Sequence, residues 1–388
     1  MRRLPLDYAV RNLGRSPVRL AMSVFGSALV VILATSAFAF VRGMDQSLAQ
    51  SGSPDNVMLL GAGSEESIER SEVNASVPGQ AQASIWGIRR QAGQDFVSPE
   101  VHMALGVSFE PDQEPIGQAV FRGVTPTAFP VHPQVQMLEG RVFDPGSDEI
   151  IVGELAATRL GVSNDQLALG RSLWIDGRQY TIVGRFAAPN TVMNAEIWIP
   201  LANLQILTRR DSLSCIVITM GKGELADADV FVKSRVDLEL AVIRETEYYS
   251  KLSDFYKPVK MMVWVTALLI GIGGLLGGLN TMYAAFASRV REVGMLQSLG
   301  YPRRAVMLSF VQESLIAASA GGLIGSSVCL LLLDGVAIQF SMGAFGLILD
   351  GPTIFFGIAS GLMLGLVGSL PPTLRCLRMS IAQTLKAA

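Results

Sequence analysis

Charge is scarce in this chain: 16% of its 388 residues are Asp, Glu, Lys or Arg, and 50% are hydrophobic. A water-soluble globular protein carries roughly 25% charged residues, so an ordinary soluble class is excluded. Histidine is scarcer still. His102 and His132 lie far apart in sequence, with no neighbouring Cys and no carboxylate read at metal-ligand spacing, so no metal site is expected. Cys215, Cys329 and Cys376 are scattered singly and suggest no disulfide framework. There is no G-x-S-x-G elbow and no G-x-x-x-x-G-K-[ST] phosphate loop. No catalytic residue and no cofactor are expected on this chain, and any ATP and Mg would be bound by another. No basic patch suggests nucleic acid.

What is present is apolar length. Residues 20–41, 261–288, 305–333 (interrupted only by Glu313) and 351–374 are each long enough to cross a bilayer as a helix, which takes roughly 20 residues. A cleaved signal peptide is the alternative for the first run, but signal cores hold about 7–15 apolar residues. The lead before it places Leu6, Ala9, Val10 and Leu13 at helical spacing opposite Asp7, Arg11 and Arg15, which suits an amphipathic helix in the headgroup layer as well as a basic flank.

Basic residues set the orientation. Arg2, Arg3, Arg11, Arg15 and Arg19 precede the first span; Arg289, Arg291, Arg303 and Arg304 lie between the second and third; Arg375, Arg378 and Lys386 follow the fourth. Against them stand only Asp7 and Glu292, so these segments and both termini are expected in the cytosol. Residues 44–257 instead carry 28 acidic and 17 basic side chains, a net −11, and are expected outside.

The expected fold is an α-helical membrane protein with four transmembrane helices and a large α+β extracytoplasmic domain inserted between helices 1 and 2. Its parts are a cytosolic amphipathic lead (1–19), helix 1 (20–43), the outer domain (44–257), a stalk and helix 2 (258–288), a cytosolic helix (289–304), helix 3 (305–333), a short outer connector (334–351), helix 4 (352–374) and a cytosolic tail (375–388). Within the outer domain, "NVMLLG" at 56–61 reads as a strand and 80–90 as a helix. "EIIVG", "ELAATRLG", "SLWIDGRQYTIVGRF" and "EIWIP" then read as strand, helix, hairpin turning at Asp176-Gly177, and strand. Residues 239–257 read as a polar helix running toward the second span, with Pro258 as a possible kink.

Glycines recur four apart inside the spans: Gly273/Gly277, Gly274/Gly278, Gly321/Gly325 and the ladder Gly357, Gly361 and Gly365. Such spacing makes a smooth face that lets another backbone approach. Glu313 is the one ionisable residue inside a span. An intramembrane carboxylate marks a functional candidate, but its place near the cytosolic end favours a structural role that glutamine would largely keep.

The run Arg289-x-Arg291-Glu292-Val293-Gly294-x-Leu296-x-Ser298-Leu299-Gly300, then Arg303-Arg304, "ESL" at 313–315 and Gly321-Gly322-x-x-Gly325, resembles the signature of the FtsX-like permeases of ABC transporters. That family includes the MacB exporters and the LolC and LolE lipoprotein-release subunits. The opening "YAVRNLGRSPVRLAMSVFG" is similar to the family's start, and "IIVGELAATRLG…LGRSLWIDGRQYTIVGRF" resembles the MacB-type periplasmic core domain. The tail departs from the family's Pro then Leu-Arg pattern, with Ser380-Ile381 and Leu385-Lys386 in those places.

The resemblance implies a multi-pass inner-membrane permease working by mechanotransmission. It also implies a separate ABC ATPase subunit in two copies, a second permease copy or a related permease, and a possible periplasmic membrane-fusion adaptor. The alternative within the family is a regulator that transports nothing and activates a cell-wall hydrolase. In such permeases the short cytosolic helix docks on the ATPase. Here Gly300 would cap it and Pro302 end it; Val290, Val293, Leu296 and Leu299 would fill a groove, and Arg289, Arg291 and Glu292 would set the register.

Overall fold

The computed structural model describes residues 6–111, 113–340 and 343–378. Helix α1 (Leu6–Gly14) is followed at once by α2 (Pro17–Ser51). Pro17 suits the first helical position, where its missing N–H costs nothing. Then come β1 (Asn56–Gly61), α3 (Val77–Ser84), the two-residue strands β2 (Arg90–Gln91) and β3 (Gln94–Asp95), β4 (Val97–Ser108), β5 (Gly117–Val124), α4 (Ala128–Val131), β6 (Gln136–Gly140) and β7 (Glu149–Gly153). Next are α5 (Ala156–Leu160), β8 (Ser172–Ile175), β9 (Arg178–Ala187), β10 (Ile197–Pro200), α6 (Leu201–Thr208), β11 (Cys215–Thr219), α7 (Leu225–Ser234), β12 (Leu240–Arg244) and α8 (Glu245–Phe255). The chain closes with α9 (Lys257–Ala287), α10 (Val290–Ser298), α11 (Arg303–Leu333), β13 (Ala337–Phe340), β14 (Gly343–Gly346) and α12 (Gly351–Arg378).

Among the described residues four helices, α2, α9, α11 and α12, are long and apolar enough to cross a membrane. The chain forms two compact units. One holds α1, α2 up to Arg42, and α9 to α12 without the β13–β14 hairpin; the other holds Gly43–Lys257 and Ala337–Gly346. In the helical unit, Phe38 stacks on Phe356 at 4.5 Å and meets Trp264 edge-on at 5.9 Å. Arg42 pairs with Asp350 at 2.8 Å.

The other unit is built on a mixed ten-stranded sheet in the order β12-β1-β11-β4-β5-β10-β7-β9-β6, with β8 pairing β4 and β9. The twelve-residue strand β4 is its hinge line: its first half pairs β11 and its second half pairs β5. One core gathers Leu59, Val101, Phe121, Ile150, Leu173, Tyr180, Ile182, Ile197 and Ile216, and a smaller one gathers Phe143, Ile151, Phe186, Met193 and Trp198. Burial of each such side chain contributes about 1.5–3 kcal/mol. The β8–β9 hairpin turns at Asp176 and Gly177 with φ of 47° and 78°, the conformation a type I′ turn requires.

Several expected boundaries moved. The helix read over 80–90 is α3, which ends at Ser84, and Arg90 opens a strand. The polar helix read from 239 begins only at Glu245, because Leu240–Arg244 pairs as edge strand β12 with β1. Pro258 sits in the first turn of α9, after a break at Tyr256, so it bends no helix interior. The connector 334–351 contains a β-hairpin that belongs to the sheet-bearing unit. Residues 379–388 of the expected tail, and the side chain of Cys376, lie outside the described residues.

Candidate functional site

Helix α10 carries the residues that sequence reasoning singled out. Its end is a Schellman motif: Gly300 N–H donates to Gln297 O at 3.0 Å and Tyr301 N–H to Leu296 O at 3.1 Å, with Gly300 at φ 89°. Pro302 then serves as N-cap of α11. Val293 is fully buried against Val306 and Phe310, and Leu296 and Tyr301 pack on the same cluster. Gly294 is buried too. The exposed stripe is Arg291, Met295 and Leu299, four residues apart, with Met295 49% and Leu299 66% exposed. Of the apolar groove-fillers read from sequence, Val293 and Leu296 therefore pack inward, Val290 is half-buried and Leu299 is exposed.

The charges divide likewise. Arg289 is buried, donating through Nη1 to Glu313 Oε2 at 2.9 Å and through Nη2 to Asn12 O at 3.2 Å. Glu292 Oε1 accepts from Tyr8 Oη at 2.8 Å and from Arg15 Nη1 at 3.2 Å. Arg19 adds a second cation to Glu313, at 3.3 Å from Oε1. Arg289 and Glu292 thus fix α10 to α1 and α11, whereas Arg291 points outward. Glu313 is the anchor beneath the helix, 6% exposed. Its partners were hidden from sequence reading because they come from two other segments.

The glycines also separate into two groups. A methyl at Gly361 would come within 2.6 Å of Val31 Cγ2, and one at Gly365 within 2.6 Å of Ala318 Cβ; Gly357 abuts Thr35. Gly321 and Gly325 bring α11 against the backbone of α2 at Val24 and Ala28. Gly273 and Gly277 on α9 have open space, and the most apolar stretch of α9 buries none of its residues.

In the sheet-bearing unit the two histidines meet after all. Glu100, fully buried on β4, accepts from Ser98 Oγ at 2.8 Å and Arg122 Nη1 at 2.8 Å, and lies 3.1 Å from His102 Nε2 and 2.7 Å from His132 Nε2. Arg122 makes a second, bidentate pair with Glu196 at 2.7 and 2.8 Å, and Trp198 Nε1 donates to Glu196 at 2.9 Å. Burial alone would raise the Glu100 carboxyl, but His132, Arg122 and the His102 contact outweigh it and hold it well below the usual carboxylate range. Glu196 is lowered by Arg122 against the same burial. Burial and the Arg122 charge push His102 down against the opposing pull of Glu100 and Glu196.

Glu100, His102 and the buried Cys215 also place ligand-type atoms within 4.8 Å of one another. A cation there would compete with the Arg122 guanidinium and strip Glu100 of its present donors, so the group fits an ion-pair network better than a metal. Glu100-x-His102 on one strand face was a readable signal; the approach of His132 was not.

The sequence matches the MacB-like periplasmic core domain over residues 20–230 and the FtsX-like permease C-terminal family over residues 264–381. It is 22% identical to the uncharacterized ABC transporter permease YvrN of Bacillus subtilis over 407 residues, covering 95% of this chain and 96% of that one. It is 23% identical to the macrolide export ATP-binding/permease protein MacB of Sodalis glossinidius over 337 residues, covering 81% of this chain; the chain spans 50% of that relative's length. The periplasmic region of MacB from Actinobacillus actinomycetemcomitans superimposes with a TM-score of 0.39 at 10% identity, covering 54% of this chain and 94% of that one. With the core-domain match alone taking in more than half of the residues and the permease match following it, this chain belongs to the FtsX-like, MacB-type family of ABC transporter permeases.

Proposed function

We propose that this chain is a permease subunit that converts ATP hydrolysis by a separate ATPase subunit into movement of its outer domain, driving export or extraction of a substrate on the outer side of the inner membrane. The observation that carries this reading is α10: a short helix locked from behind by Val293, Arg289 and Glu292 while presenting Arg291, Met295 and Leu299. A helix so anchored transmits a push on its outer face to α1 and α11 rather than yielding locally. ATP and Mg belong to the ATPase, in two copies. The unpacked face of α9, with Gly273 and Gly277 open, suits a second permease copy. A periplasmic adaptor completes the proposed assembly, with both termini cytosolic. We read the core-domain match over 20–230 in favour of export, the alternative being a regulator that activates a cell-wall hydrolase.

The test replaces Met295 or Leu299 by Asp in the full chain and measures co-purification of the ATPase and stimulation of its hydrolysis. Loss of both with normal insertion is expected. Wild-type coupling in both variants would remove α10 as the docking element.

A further inference from the structure

The buried network of the sheet-bearing unit ends on an unmet need. His132 is fully buried, and its Nε2 faces the ionised Glu100 at 2.7 Å. A carboxylate only accepts, so Nε2 carries the hydrogen. Nδ1 has no hydrogen-bond partner. Opposite it, at 3.8 Å, stands Oε1 of Glu245, a residue 1% exposed. The other oxygen of Glu245 accepts from Ser53 N–H at 2.8 Å and Asn56 Nδ2 at 2.9 Å.

Without a further proton, two lone pairs confront one another across a buried gap, which is unfavourable in a low-dielectric site. One proton resolves it. The pair is then either a carboxylic acid donating to imidazole or an imidazolium donating to carboxylate.

The location gives the proton a mechanical meaning. Glu245 is the first residue of α8, which leads in sequence into α9, and its Oε2 holds the segment leaving α2. Gly52 touches the Glu245 and Thr246 backbone so closely that a methyl would come within 2.8 Å. His132 leads through Glu100 to β4 and Arg122 on β5. We propose that His132 and Glu245 form a proton-binding site, in which one proton held between Nδ1 and Oε1 fastens the root of α8 to the sheet and its loss loosens that joint.

The titratable groups next to this pair are Glu100 of β4, Cys215 of β11 and Tyr249 of α8, and Glu100 carries the network on to His102, Arg122 and Glu196. The network thus holds three carboxylates, Glu100, Glu196 and Glu245, against one guanidinium, so the added proton reduces a net negative charge. Burial raises the Glu245 carboxyl, His132 opposing it. A cleft of about 140 Å³ reaches His102, Arg122, Glu196, Tyr248 and Tyr249 and gives solvent protons access to the network. The proposal concerns the outer domain alone and holds whatever the cargo.

The sign follows from linkage. A native state holding a proton that the unfolded chain releases loses stability as pH rises through the folded value. The full chain, purified in detergent with any histidine tag removed, is melted between pH 5 and 9 beside Glu245→Gln. The glutamine amide donates to Nδ1 at every pH while its oxygen keeps Ser53 and Asn56. The wild type is expected to lose roughly 2–4 °C in Tm per pH unit relative to the variant, the slope of one proton in a domain of this size.

Parallel profiles would overturn the proposal. If Glu245→Gln does not fold, His132→Gln is compared in the same way. The wild type also gives its own answer, because it has only two imidazoles. Nitrogen-15 histidine spectra should show one Nδ1 passing from a hydrogen-bonded to a bare state as pH rises. Two imidazoles with unchanged shifts throughout would refute the site.

Discussion

Glu313 shows how a residue can be visible in a sequence while its role is not. Its isolation in an apolar run marks it at once, but Arg19 and Arg289, at 3.3 and 2.9 Å, arrive from segments 294 and 24 residues away. Two cations on one carboxylate make charge, not polarity alone, the requirement. The expectation that glutamine would serve is therefore revised: Glu313→Gln should lower stability by about 3 kcal/mol, since removing one partner leaves buried charge uncompensated. Thermal unfolding in detergent measures it, and a Tm equal to wild type would restore the simpler hydrogen-bonding role. A pH effect of opposite sign to that at Glu245 belongs to Glu100 and Glu196. Their folded carboxyls are held below the ordinary value, so the stability they contribute is present above about pH 4.5 and lost as pH falls through the lowered values. Glutamine at Glu100 should flatten that acid limb of the melting curve.

For whole elements, sequence reading located α10 and its glycine stop but not which of its residues pack inward. Val290, Val293, Leu296 and Leu299 recur every three residues, and such a stripe looks the same whether it packs on its own protein or on a partner. The helix in place resolves it, because Val306 and Phe310 already occupy the Val293 side. Leu296→Asp should therefore unfold the α10 end of the helical unit, whereas Met295→Asp should leave the fold intact and fail in ATPase co-purification and stimulation. Limited proteolysis beside an ATPase assay separates the two. The glycine ladder of α12 divides similarly from the Gly273/Gly277 pair of α9. A leucine at Gly361 must displace Val31, where a bare methyl would already lie 2.6 Å away, and overpacking of this kind costs about 1–3 kcal/mol. Leucine at Gly277 meets open space and should spare monomer stability, so any loss there, read by crosslinking of the intact permease, belongs to assembly.

At the scale of the whole molecule, what sequence reading conveyed best was charge asymmetry: twelve basic residues against two acidic ones around the spans, and a net −11 over 44–257. That bias is physical and needs no contacts, which is why the division near residues 43 and 257 was legible while the β13–β14 hairpin was not. A four-residue strand in a short connector carries too few side chains to announce its pairing. The orientation is testable with a thiol reagent that cannot cross membranes. Native Cys215 and Cys329 are buried, and burial pushes the Cys215 thiol well above its ordinary value, so both should stay silent in intact cells. With Cys376 replaced by serine, cysteine at Ile206, 63% exposed on α6, should label in whole cells. Cysteine at Arg291 should label only after the membrane is opened. Labelling of position 291 from outside would overturn the cytosolic placement of α10, and with it the docking role proposed for Met295 and Leu299.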